Sequence, residues 1–177
     1  VVIGAMPDEA RSSIRKIAEQ QGAPLIDAAT RVSVVENTCD LRGLKLHVDG
    51  AQRTLGTVRL GLLGAYQAEN TATAVAALEV WETVSGLPLD DDAFLKGLES
   101  VRWPGRFQEV RHDPPVIVDG AHNPDAAMAL QKSLRHLRFA GPVGLVAGFC
   151  KDKDIAGCLR CLAPVARRGW AVPVPSE

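Results

Sequence analysis

The run Val116-Ile117-Val118-Asp119-Gly120-Ala121-His122-Asn123-Pro124-Asp125 constrains the fold more than any other part of the chain. Its three β-branched apolar residues read as a short buried strand. Gly120 permits a tight turn, Asn123 is suited to cap a helix, and Pro124 fits the first helical position. A strand that runs straight into a capped helix is a building unit of α/β folds, where ligands sit outside the strand carboxyl ends. Asp119 and His122 are thereby offered to a cleft, beside a helix N-terminus that favours anions. The same residues also suit a plain corner, with Asp119 accepting from turn amides and His122 solvated.

The rest of the chain repeats that alternation. Val1–Ala5 reads as a strand, a helix follows from Pro7-Asp8 to about Gln21, and Pro24–Asp27 reads as a second strand. Ile14, Ile17 and Ala18 are expected on the inner face of that helix. Between Arg31 and Leu63 the period drops to two, with Val32/Val34, Leu44/Leu46/Val48 and Val58/Leu60/Leu62, and Asp49-Gly50 supplies a turn signal. This predicts an antiparallel meander of three strands. A long helix over about Gln67–Val84 is expected to bury Ala74, Ala77, Leu78 and Trp81. Asp90, Asp91 and Asp92 open another helix, as capping residues rather than metal ligands.

Trp103-Pro104-Gly105 interrupts the pattern and marks a domain boundary, so residues 1–102 and 103–177 are expected to form separate regions. Beyond it the order is β-β-α-β-α-β, a Rossmann-like half-sheet.

Composition narrows the function classes. With a net charge of −1, 46% hydrophobic residues and no basic block, the chain does not look like a nucleic-acid surface. No apolar run approaches the roughly 20 residues needed to cross a bilayer. The cysteines are Cys39, Cys150, Cys158 and Cys161, too few for a disulfide scaffold, which points to a reducing cytoplasm. Cys158 and Cys161 have C-x-x-C spacing but lie in an expected helix without further ligands, so they read as core or surface thiols.

Three more segments can carry chemistry. In Trp103-Pro104-Gly105-Arg106-Phe107-Gln108, Arg106 sits on a hinge from which a guanidinium can grip phosphate, or it is a surface linker residue. Gln67 and Asn70 share the first turn of the long helix, where side-chain amides can read a base edge or serve as caps. The loop Gly148-Phe149-Cys150-Lys151-Asp152-Lys153-Asp154 can contact a substrate carboxylate, or be solvated with Asp154 as a cap.

Together, Gly64-x-Tyr66-Gln67-x-x-Asn70, Trp103-Pro104-Gly105-Arg106-x-Gln108, Asp119-Gly120-Ala121-His122-Asn123-Pro124 and Asp152-Lys153-Asp154 resemble, in order, the signatures of the folylpolyglutamate synthase/dihydrofolate synthase family. That family belongs to the Mur ligase superfamily. Tyr66 departs from it, standing where the family often has histidine. The resemblance implies the end of a central ATPase domain followed by a Rossmann-like ligase domain. It implies ATP and Mg²⁺ as cofactors, with L-glutamate and dihydropteroate or folate as substrates, in a monomeric cytoplasmic enzyme. By the same resemblance Asn70 lies on the adenine side, Gln67 beside it, Arg106 at the ATP phosphates and Asp119 near the ribose. His122, Asp152 and Lys153 then face the acyl and glutamate substrates, with His122 as the catalytic candidate.

No G-x-x-x-x-G-K-[ST] loop occurs in these 177 residues. Both ends read as truncations, with the phosphate loop and metal ligands expected upstream of Val1 and no metal site here, so the piece alone is expected to be inactive. Two alternatives stand beside this reading: another Mur-type amino-acid ligase, and a non-catalytic Rossmann-like binding module.

Overall fold

The computed structural model describes residues 1–41, 43–137 and 141–174 of the chain. It is a mixed α/β structure of two compact units. The first comprises Val1–Thr38, Gly43–Gly61 and Tyr66–Val101, and the second is built mainly from the chain after Val101. Residues 175–177, at the end of the second expected region, lie outside the described residues.

The first unit opens with a βαβ element. Strand β1 (Val2–Ile3) is followed by helix α1 (Asp8–Gln20) and strand β2 (Ile26–Asp27). β2 pairs parallel to β1, with Val2 opposite Ile26. Asp8 and Glu9 complement the positive end of α1. Gly22, at φ 61°, lets the chain turn back so that the Ala23 N–H reaches the Ala18 carbonyl at 2.9 Å. Ala18 is buried, but Ile17, expected beside it, is 58% exposed. Ile14 and Ala18 stack at i and i+4, whereas Ile17 lies about 100° around the helix from Ala18. A short helix the sequence pattern did not reveal, α2 (Ala28–Arg31), is capped by Asp27, whose carboxylate accepts from the Ala29 N–H at 3.1 Å.

The meander is present: β3 (Ser33–Asp40), β4 (Gly43–Asp49) and β5 (Thr54–Leu60) form one sheet in that order. β4 and β5 are antiparallel, with Leu44 opposite Leu60 and Leu46 opposite Val58. The alternation buries Leu44, Leu46, Val48, Val58 and Leu60 on one face. β5 stops at Leu60, short of Leu62, and the turn after β4 is closed by the Gly50 N–H donating to the Arg53 carbonyl at 2.8 Å.

Helix α3 (Gln67–Ser85) ends at Gly86 in the left-handed conformation, as its sequence suggests. Its buried face is not the expected one. Ala74, Ala77, Leu78 and Trp81 are exposed, and Gln67, Thr71, Ala72, Val75, Ala76 and Glu79 are buried instead. The reason is Glu79, fully buried, whose carboxylate accepts from the N–H groups of Ala51 (3.2 Å) and Gln52 (3.0 Å) in the β4–β5 turn. A polar side chain with satisfied bonds turns the helix to a register that hydrophobicity alone does not indicate. Helix α4 (Asp91–Ser100) is capped by Asp90, which accepts from the Asp92 N–H at 3.2 Å. Arg53 joins this region: its guanidinium pairs with Glu82 and with Asp91 (2.6 Å) and lies 4.0 Å from the centre of the Phe94 ring.

In the second unit, β6 (Gln108–Arg111) and β7 (Val116–Val118) form an antiparallel pair with Gln108 opposite Val118. Helix α5 (Pro124–His136) follows, with Asn123 as its cap and Pro124 first. Strand β8 (Val143–Ala147), helix α6 (Ile155–Leu162) and strand β9 (Ala166–Ala171) complete it, β9 running parallel to β8. Ala127, Cys158 and Leu162 make the core, flanked by Leu130, Leu145, Phe149 and Cys161. Cys158 is thus a core thiol, and burial raises its pKa. The element order is the expected one, but β6–β7 and β8–β9 are two separate two-stranded sheets among the described residues. Consecutive strands joined by a helix need not be neighbours, and hydrophobic period carries no information on adjacency. No helix among the described residues is long and apolar enough to cross a membrane.

Candidate functional site

The corner where β7 passes into α5 collects most of the candidate residues. Asp119 leaves the end of β7, and its two carboxylate oxygens point in different directions. One accepts from the Ala121 N–H at 2.8 Å, closing the turn before α5. The other accepts from the Phe107 N–H at 2.8 Å, reaching a loop twelve residues earlier. Asp119 therefore braces two backbone segments against one another.

The loop it holds carries Arg106. Gly105 and Phe107, on either side of the arginine, have φ of 71° and 45°. For phenylalanine the left-handed conformation costs on the order of 1 kcal/mol or more, so its surroundings must hold it there. They do: Phe107 is 1% exposed, and the Asp119 carboxylate takes its N–H. Gly105 is held on both of its polar groups, its carbonyl by the Gly120 N–H at 2.8 Å and its N–H by the Gln108 side-chain carbonyl at 2.9 Å.

Arg106 itself is exposed. Among the described residues its guanidinium has one partner, the Gly105 carbonyl at 3.4 Å. One terminal nitrogen lies so close over Gly120 that a methyl group there would collide with it. An always-charged group with unused donors, held beside a glycine, is suited to an anionic ligand. The sequence marks Arg106 and Asp119 as candidates but does not show that the backbone is left-handed on both sides of the arginine. The preceding Pro104-Gly105 was the available signal.

His122 is exposed, with its Nδ1 2.9 Å from the Gly120 carbonyl. It lies near enough to Asp152 for its charge to help lower that carboxyl's pKa, although the main cause is the hydrogen bond from Lys153. The Lys153 ammonium, 2.6 Å from Asp152, has its pKa raised by the same contact. Both groups thus stay charged through neutral pH. The two helices behind them approach closely at their N-terminal ends. Asp154 caps α6 through the Gly157 N–H at 2.8 Å, and a side chain at Gly157 would run into Pro124, the first residue of α5. His122, Asp152 and Lys153 therefore share one region, where two helix N-termini add positive potential.

Gln67 and Asn70 belong to the first unit. They share the first turn of α3, the Asn70 side-chain amide donating to the Gln67 side-chain oxygen Oε1 at 2.9 Å, and Gln67 is buried. Asn70 lines a groove of about 400 Å³ with Gly4, Ala5, Glu69, Thr73, Ala74 and Ala77, where the carboxyl end of β1 meets α3. A side chain at Gly4 would strike the Thr73 hydroxyl, so glycine keeps the groove open.

Comparisons with known proteins agree on one group. Residues 105–172 match the family described as Mur ligase, glutamate ligase domain. The chain is 32% identical over 121 residues to a folylpolyglutamate synthase of Lacticaseibacillus casei, covering 68% of this chain and 28% of that protein. It is 43% identical over 105 residues to the dihydrofolate synthase/folylpolyglutamate synthase of Escherichia coli (strain K12), covering 59% and 24%. Among solved structures, an FPGS–AMPPCP–folate complex superimposes with a TM-score of 0.90 at 27% identity, over 99% of this chain and 42% of that one. The chain thus spans about a quarter of the length of these two curated relatives and 42% of that solved structure.

Proposed function

Because this chain belongs to the folylpolyglutamate synthase/dihydrofolate synthase family, we propose that the whole protein is an ATP-dependent ligase that joins L-glutamate to a folate, to dihydropteroate, or to both. The observation that carries the reading is Arg106, a guanidinium with free donors on a loop fastened at three points.

A carboxylate is a poor electrophile, and phosphoryl transfer from ATP would turn it into an acyl phosphate that the amine of glutamate can attack. Bringing a carboxylate up to a triphosphate demands neutralisation of charge, which Arg106 would supply at the phosphates. Asn70, on its groove, is assigned to the adenine with Gln67 orienting it. Asp119 is assigned to the neighbourhood of the ribose, in addition to bracing the arginine loop. His122, Asp152 and Lys153 are assigned to the acyl and glutamate side, with charges that suit an amino acid's ammonium and carboxylate. Mg²⁺ would share the neutralisation of phosphate charge, through ligands that we place outside these 177 residues. We further propose a monomeric, cytoplasmic protein in which this piece alone is inactive.

The test is a substrate panel on the full-length protein with ATP and L-glutamate. Product from tetrahydrofolate or dihydropteroate, and none from a UDP-muramyl acid, is the expected result. Ligation to the UDP-muramyl acid alone would move the protein to another branch of the superfamily.

A further inference from the structure

We infer that Gln108 is a positioning residue for Arg106: its side chain closes the Gly105–Phe107 loop and so sets where the guanidinium meets an anionic phosphate. The inference rests on the nucleotide role proposed for Arg106 and adds to it a residue that never touches the ligand.

The loop is reversed at both flanks of Arg106, and each reversal has its own restraint. On the Phe107 side there are two, the buried ring and the Asp119 carboxylate. On the Gly105 side the conformation is intrinsically free, because glycine adopts φ 71° without steric cost. Its orientation therefore depends on its hydrogen bonds. The carbonyl is taken by the Gly120 N–H at 2.8 Å, and the N–H by the Gln108 side-chain carbonyl at 2.9 Å. The backbone of Gln108 is separately fixed, since it enters β6 opposite Val118. Its side chain thus ties a freely rotating glycine to a strand. Without that tie the peptide before Arg106 can swing, and the guanidinium loses its fixed place over Gly120.

The Gln108 side chain is solvent-exposed and contributes nothing to the core, so its replacement leaves folding intact. Glutamate at this position keeps an acceptor for the Gly105 N–H, whereas leucine removes it.

The experiment uses the full-length protein carrying Q108L, Q108E or R106A, with calorimetric titration of the non-hydrolysable analogue AMPPCP, steady-state ATP kinetics and thermal melting. Loss of one exposed hydrogen bond predicts that Q108L binds AMPPCP about 3- to 10-fold more weakly. KM for ATP should rise in parallel, the melting temperature should be unchanged, and Q108E should stay within about 2-fold of wild type. Wild-type affinity in Q108L alongside impaired R106A would overturn the inference and leave the nucleotide role of Arg106 standing. Wild-type affinity in R106A would overturn both. A Q108E variant as weak as Q108L would also sink the inference, because the acceptor would then not be what matters.

Discussion

Gly120 shows at the scale of one residue how the corner is built. Its φ is unremarkable, so glycine is needed there for space and not for backbone conformation. The space is filled by the end of the Arg106 side chain. A flexible group can move aside, so G120A should leave stability within about 0.5 kcal/mol of wild type while displacing the guanidinium. In the full-length protein, KM for ATP should rise by about tenfold or more with little change in melting temperature. Wild-type KM would mean that the guanidinium does not act from this position. The turn and cap that surround Arg106, Asp119 and His122 were legible in the sequence, because glycines and a helix cap stand there at fixed spacing. The positive φ of Phe107 was not. Phenylalanine disfavours that conformation, and only the tertiary bond to Asp119 and the burial of its ring impose it.

Among the elements, α3 is the most instructive. Its length and its glycine stop follow from composition, yet its buried face does not, because the decisive inward residue is the carboxylate of Glu79. That side chain supplies acceptors to the Ala51 and Gln52 N–H groups, and so fastens the β4–β5 turn to the helix. E79A would leave those donors unpaired and should destabilise the protein by about 1–3 kcal/mol. G50A should act through the same contact, since its methyl group would overlap the Glu79 carboxylate and crowd the Arg53 carbonyl at 3.2 Å. A cost of about 1–3 kcal/mol is expected there as well. Denaturant unfolding of both variants and of the double mutant checks the coupling. Costs that merely add would show that Gly50 and Glu79 act separately. The strands of the meander were easier to foresee, because each has one buried face and the period of two survives in the sequence. Which strands would pair in the second unit was not foreseeable, since β7 and β8 are joined by a helix.

At the scale of the whole molecule, the chain divides into two units, and the second carries the Arg106 loop together with Asp119, His122, Asp152 and Lys153. The central proposal for that unit is that an anion comes to Arg106. The most direct measurement is therefore single-turnover ligation by the full-length protein, following glutamylated tetrahydrofolate by mass spectrometry in wild type, R106K and R106A. Removing a guanidinium that stabilises transferring phosphoryl charge predicts a loss of about 10²-fold or more in R106A. R106K should lie between it and wild type, because an ammonium keeps the charge but not the bidentate fork. Glutamylated product forming in R106A at the wild-type rate would contradict the assignment.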